Sequence, residues 1–126
     1  MIAPRILIVE DNRIVSLDIQ IKLEALGYLV VGTAASGEVA IKTVSDLNPN
    51  LVFMDINLEG AMDGIEAARQ IQREYNVPII FLTAYADDDT KNRAMRLNPS
   101  GYILKPYSDH QLQSSIRDVF SGNILN

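Results

Sequence analysis

The 126-residue chain contains no cysteine, which excludes disulfides, zinc–thiolate centres and thiol catalysis. No apolar run approaches the roughly 18 residues that cross a bilayer. The chain does not open on a charged segment followed by an apolar stretch, so no signal peptide is expected and the setting reads as intracellular, that is cytoplasmic. Basic residues are too few for direct nucleic-acid binding: the formal net charge is −5, whereas a duplex binder needs a basic face to neutralise phosphates. Neither G-x-G-x-x-G nor a P-loop occurs, which removes the usual cradles for dinucleotides and nucleotides. Repeats, low-complexity tracts and Pro/Gly/Ser linkers are also missing, and the length suits one domain over residues 1–126 with a single core.

What the chain does have is five short apolar runs: Ile6 to Val9, Leu29 to Val31, Leu51 to Met54, Ile79 to Leu82 and Tyr102 to Leu104. Short, continuously apolar and rich in β-branched residues, they read as strands buried on both faces of a parallel sheet. Helical signals lie between them. Asp63 reads as an N-cap with Glu66 three residues on, and Ser108 with Gln111 forms a capping box ahead of Leu112, Ile116, Val119 and Phe120. Gly27, Asn48-Pro49 and Gly122 are stop signals. The stretch from Asp87 to Leu97 offers only Ala94, Met95 and Leu97 to a core and is the weakest helix; its Asp87-Asp88-Asp89 is a helix start favoured by the macrodipole. The lone His110 falls in the first turn of the last helix as a surface residue.

Strand–helix alternation of this kind gives a doubly wound α/β sheet with right-handed crossovers. Ligands of such sheets sit beyond the carboxyl ends of the strands. The residues following the runs are Glu10 and Asp11, then Asp55, Thr83, and Lys105-Pro106, while the second run leads into Gly32, Thr33 and Ala34. For the chemically rich ends to converge, the second strand must lie at an edge and the first and third side by side. The order 2-1-3-4-5 satisfies this. Two carboxylates about 4 Å apart repel by roughly 4 kcal/mol at an effective dielectric of about 20, so the acids need either a cation or raised pKa values. Hard oxygens without His or Cys suit Mg²⁺, with Mn²⁺ as a substitute. A carboxylate nucleophile, a divalent metal, a lysine and a hydroxyl together make a phosphoryl-transfer site. Asp11 has a plainer reading as a cap of the first helix, and Tyr102 as a packed aromatic.

Taken in order, Ile6 to Asp11, Phe53-Met54-Asp55, Asp63-Gly64, Leu82-Thr83-Ala84 and Gly101 to Pro106 resemble the receiver domain of two-component response regulators, from Ile6 to about Phe120. The resemblance implies a flavodoxin-like fold and a protein that is not a conventional enzyme: it catalyses its own phosphorylation and dephosphorylation. Asp55 would accept a phosphoryl group from the phosphohistidine of a sensor histidine kinase or a histidine phosphotransfer protein. Asp11, Asp55 and the backbone carbonyl of Asn57 would hold Mg²⁺, with Glu10 acting mainly through water. Lys105 would pair with phosphoryl oxygens across a cis bond to Pro106, and Thr83 would bond the phosphoryl group as Tyr102 turns inward. The face around helix 4, strand 5 and helix 5 would be read by an output domain, a target protein or a second copy. Asn57 and Tyr85 would modulate the lifetime of the acyl phosphate.

The chain departs from the family pattern at Asn57 to Met62, where the loop before Asp63 is longer by one residue, lacks the usual Pro near Glu59, and is expected to be looser. Glu10 replaces the commoner Asp. Competing readings are a stand-alone phosphorelay carrier, a phosphate-independent pseudo-receiver, and an aspartate-nucleophile phosphatase of the haloacid dehalogenase type. The last is opposed by Asn57, which stands where a second Asp is required.

Overall fold

Strands and helices alternate five times in the computed structural model, which describes residues 3–84 and 87–121. The elements are β1 (Arg5–Val9), α1 (Arg13–Ala25), β2 (Leu29–Ala34), α2 (Gly37–Leu47), β3 (Leu51–Met54), α3 (Gly64–Tyr75), β4 (Ile79–Thr83), α4 (Asp88–Met95), β5 (Gly101–Leu104) and α5 (Asp109–Ser121). All strand pairings are parallel and the order is β2-β1-β3-β4-β5. Among the described residues no helix is long and apolar enough to cross a membrane.

The sheet separates two apolar layers. On one face Val9, Val52, Met54 and Phe81 pack against Ala40 and Val44 of α2, Ile65, Ala68 and Ile71 of α3, and Ala94 of α4. On the other, Ile6, Ile8, Phe53 and Ile80 pack against Ile19 and Leu23 of α1 and Leu112 and Ile116 of α5. Burial on both faces holds for β1, β3 and β4, where nearly every residue is buried, and fails for the edge strands β2 and β5. Edge exposure also corrects the extent of β2. It continues through Gly32 and Thr33 to Ala34, with a register irregularity opposite Ile6 and Leu7, because a solvent-facing edge tolerates polar residues.

Local chemistry sets the helix ends. The Asp63 carboxylate accepts from the Glu66 N–H at 2.9 Å, and Asp87 caps α4 through the N–H and hydroxyl of Thr90. Ser108 and Gln111 exchange reciprocal bonds of 2.8 and 3.1 Å, so the expected capping box is present. Asn48, Asn76 and Asn98 close helices at positive φ, as Gly27 does after α1; Gly122 lies outside the described residues. Asn12, not Asp11, caps α1 by accepting from the N–H groups of Ile14 and Val15, which overturns the plainer reading of Asp11. The helix expected to be weakest buries Ala94 alone, and Met95 is 46% exposed rather than in the core. One buried methyl contributes about 0.8 kcal/mol, far less than the several buried side chains of α3. Phe120 is likewise partly exposed on α5.

Candidate functional site

The parallel register delivers the acids to one place. Val9 pairs with Met54 in β3 and Ala34 in β2, so Glu10 and Asp55 leave adjacent strands at the same height. Backbone bonds of 2.9 Å fix both departures, from Glu10 N–H to Ala34 and from Asp55 N–H to Val9. Glu10 and Asp55 are 6% and 8% exposed, unusual burial for carboxylates. With the partly exposed Asp11 they offer oxygens within 4.8 Å of one another. Among the described residues this is the only such acidic group, and the Asp87-Asp88-Asp89 run does not form one.

Lys105 supplies the opposite charge. Its Nζ lies 2.7 Å from Glu10 Oε1 and 3.5 Å from Asp55 Oδ2. Two acids of the cluster thus partner this lysine. The second Glu10 oxygen accepts from the Asn12 N–H at 3.1 Å, so Glu10 joins the start of α1 to the lysine. The Lys105 N–H donates to the carbonyl of Thr83 at 2.9 Å, and the Lys105–Pro106 bond is cis. Thr83 is fully buried at the end of β4. Asn57 donates its N–H to Asp55 Oδ1 at 3.3 Å, with an exposed side chain. Tyr85 lies outside the described residues.

In the loop after Asp55, Ile56 and Leu58 are buried and Met62 packs on the core beside Gly37, while Asn57 and Glu59 to Ala61 are exposed and Gly60 has a φ of 104°. The loop ends where Gly64 meets the end of β3. Its N–H donates to the Ile56 carbonyl at 2.8 Å, and a Cβ added there would fall 1.9 Å from the Asp55 carbonyl oxygen. Asp63 also accepts from Arg93 of α4 at 3.0 Å, tying the weak helix to the start of α3. Neither the Lys105–Glu10 pair nor the Asp63–Arg93 pair has a local sequence signal, since both join distant elements.

Two tyrosines flank the site on β5 and its exit. Tyr102 packs near Phe81, ring centroids 6.2 Å apart, with Lys91 Nζ of α4 5.9 Å from its ring. Burial, then the Asp87 carboxylate, raise its pKa. Tyr107 packs against the α1/α5 layer, and its pKa is pushed up to about 12 by burial, followed by the charge of Asp18 and a hydrogen bond to it. A phenol whose folded pKa exceeds its ordinary value holds its proton longer in the folded state, so its contribution is complete below pH 10 and is lost as pH rises towards about 12. Chemical denaturation across that range is therefore expected to show a steeper alkaline loss of stability in the native protein than in Tyr107→Phe; parallel curves would refute it.

A five-stranded parallel α/β domain with buried carboxylates and a lysine at the carboxyl ends of its strands is thus defined. A family model described as the response regulator receiver domain matches residues 6–117. The transcriptional regulatory protein YdfI of Bacillus subtilis is 32% identical over 122 residues, covering 96% of this chain and 57% of the relative. PdtaR of Mycobacterium tuberculosis is 35% identical over 112 residues, covering 89% and 54%. The receiver domain of a modulated diguanylate cyclase from Desulfovibrio desulfuricans superposes with a TM-score of 0.91 at 41% identity, covering 98% of both chains. The chain belongs to the response regulator receiver domain family. It spans about half the length of the curated relatives it matches.

Proposed function

We propose that the chain is a single phosphoacceptor domain whose Asp55 takes a phosphoryl group from a phosphohistidine of a histidine kinase or phosphotransfer protein. The observation that carries this reading is the convergence of buried Asp55 with Glu10, Asp11 and Lys105 at one strand-end crevice. An Asp55 oxygen attacks phosphorus, the P–N bond breaks, and its electron pair leaves with the imidazole. Hydrolysis of the resulting acyl phosphate releases inorganic phosphate and restores the carboxylate. The oxygen-only donor set fits Mg²⁺: Asp11, Asp55 and the backbone carbonyl of Asn57 would hold it, with Glu10 contributing through water. Bound there, the ion would neutralise charge on the transferring group. Exposed Ile14, Leu17 and Ile21 on α1, the helix that starts beside the acids, give a protein donor apolar contact.

Phosphorylation adds up to about one further negative charge and three acceptor oxygens to a crowded acidic site. Lys105 can exchange Glu10 for the phosphoryl group, and the Thr83 hydroxyl can bond another oxygen. Charge-assisted bonds of about 1.5–3 kcal/mol each approach the roughly 5.5 kcal/mol that takes an equilibrium from 1:99 to 99:1. Weakly anchored α4 and Tyr102 beneath Lys91 are where the shift would emerge, for an output domain, a target or a second copy to read at the α4/β5/α5 face. Tyr85 and Asn57 would adjust the acyl phosphate's lifetime.

Incubation with acetyl phosphate and Mg²⁺ should add one phosphoryl group by intact mass, with no adduct in EDTA or in Asp55→Asn. If the native protein gained none and bound no beryllofluoride, the reading would fall to a phosphate-independent partner-binding module.

A further inference from the structure

Glu10 and Asp11 are neighbours in sequence, yet only the first is fixed by bonds of its own side chain. The Glu10 carboxylate is held on both oxygens, by Lys105 Nζ at 2.7 Å and by the Asn12 N–H at 3.1 Å. Among the described residues the Asp11 carboxylate makes no hydrogen bond or ion pair, so the backbone on either side of it sets its direction. On the strand side that backbone is pinned where the Glu10 N–H donates to the Ala34 carbonyl at 2.9 Å. On the helix side it is pinned at Asn12.

The Asn12 side-chain oxygen accepts from the N–H groups of Ile14 and Val15 at 3.0 and 3.2 Å, and its carbonyl accepts from the Ser16 N–H at 2.9 Å. These bonds seat Asn12 on the first turn of α1, while its own N–H closes a ring with the Glu10 carboxylate two residues back. Asp11 lies inside that ring, with an oxygen within 4.8 Å of those of Glu10 and Asp55. Asn12 is exposed, so it acts through these bonds rather than through packing.

We propose that Asn12 is a positioning residue for the cation site: its side-chain oxygen fixes the first turn of α1, and its N–H thereby holds Glu10 and keeps Asp11 aimed at Asp55. The inference rests on the Mg²⁺-dependent phosphoacceptor reading. Without that oxygen, two N–H groups of the first turn lose their acceptor and the turn frays. The N–H at position 12 then drifts from Glu10, and Asp11 loses the fixed backbone that directs it. Acids that must be ordered as a cation binds hold it less tightly than acids already in place.

Calorimetric titration of the whole chain with Mg²⁺ alone tests this. Asn12→Ala should weaken binding about fivefold, the equivalent of one helix cap. Asn12→Ser, which keeps a capping oxygen, should stay within about twofold of the native protein. Ser36→Ala removes the matching cap of α2, where the hydroxyl accepts from the Val39 N–H at 3.2 Å, and should lower the melting temperature similarly while leaving Mg²⁺ affinity native. Native affinity in Asn12→Ala, or an equal loss in Asn12→Ser or Ser36→Ala, overturns the proposal. Amide hydrogen exchange in EDTA reads the ring with Glu10 directly. Protection of the N–H at position 12 should fall about fivefold in Asn12→Ala and hold in Asn12→Ser. Unchanged protection in Asn12→Ala overturns the proposal whatever the titration shows. Neither measurement involves phosphorylation. A native protein that binds Mg²⁺, shows both losses in Asn12→Ala and accepts no phosphoryl group therefore upholds the positioning role and defeats the phosphoacceptor reading alone. A native protein that binds no Mg²⁺ overturns the inference itself.

Discussion

Gly64→Ala is expected to destabilise the domain by at least about 3 kcal/mol, lowering the melting temperature by about 10 °C or more. The added Cβ would sit 1.9 Å from the Asp55 carbonyl oxygen and 2.8 Å from both the Asp55 carbonyl carbon and the Ile56 Cα. All three are backbone atoms, so no side chain can swing aside. Either the start of α3 retreats or the end of β3 moves. Retreat breaks the Gly64–Ile56 bond and lifts Ile65, Ala67 and Ala68 from the core. Movement of β3 displaces Asp55 from Glu10 and Lys105. Acetyl phosphate phosphorylation should therefore fall along with stability. Gly60→Ala is the control. A Cβ there would meet only the Glu38 carboxylate oxygens at ordinary contact, 3.9 and 4.0 Å, but the glycine's φ is 104°, so the cost is conformational, about 1–2 kcal/mol, and phosphorylation should be retained. A Gly64→Ala melting temperature near that of the native protein would show that the contact relaxes at little cost.

The sheet order was legible because the chemistry constrains it: carboxylates after the first and third runs, with a hydroxyl and a lysine after the fourth and fifth, converge only if the second strand is at an edge. Caps at Asp63, Asp87 and Ser108 were legible because their signals are local, a side chain answering a backbone N–H three residues on. Asn12 was missed for a related reason. It stands beside Asp11, and either side chain can cap a helix, so the choice depends on where the chain turns. Helical spacing placed Met95 and Phe120 with their buried neighbours although both are substantially exposed, since periodicity does not say how far an apolar stripe is covered. The contacts that organise the site could not be read at all. Lys105 to Glu10 spans 95 positions and Arg93 to Asp63 spans 30, and such pairs follow from register and helix packing in three dimensions. The glycine in Asp63-Gly64 was visible, but the reason for it, the Asp55 carbonyl beneath, was not.

Lys105→Met should move two properties of the site in opposite directions. The lysine side chain is 23% exposed, whereas those of Glu10 and Asp55 are 4% and 10% exposed, so its charge acts on carboxylates poorly shielded by water. Removing it leaves three acids whose oxygens lie within 4.8 Å without their cationic partner. Breaking one side of a buried ion pair costs about 3–5 kcal/mol, and the partial opening to solvent reduces this to about 2–3 kcal/mol, to be read by denaturation in EDTA. The same deletion removes a repulsive neighbour from any incoming cation. Mg²⁺ should bind the variant more tightly than the native protein, by calorimetry, and should raise its melting temperature by more. Phosphoryl acceptance should nevertheless fall about 100-fold, because a preorganised positive group aimed at the developing charge is lost and a tighter metal cannot stand in its place. The combination separates catalysis from metal capture. Weaker Mg²⁺ binding in Lys105→Met would mean that the lysine holds the acids in place for the metal rather than competing with it. A native transfer rate would remove Lys105 from the reaction altogether.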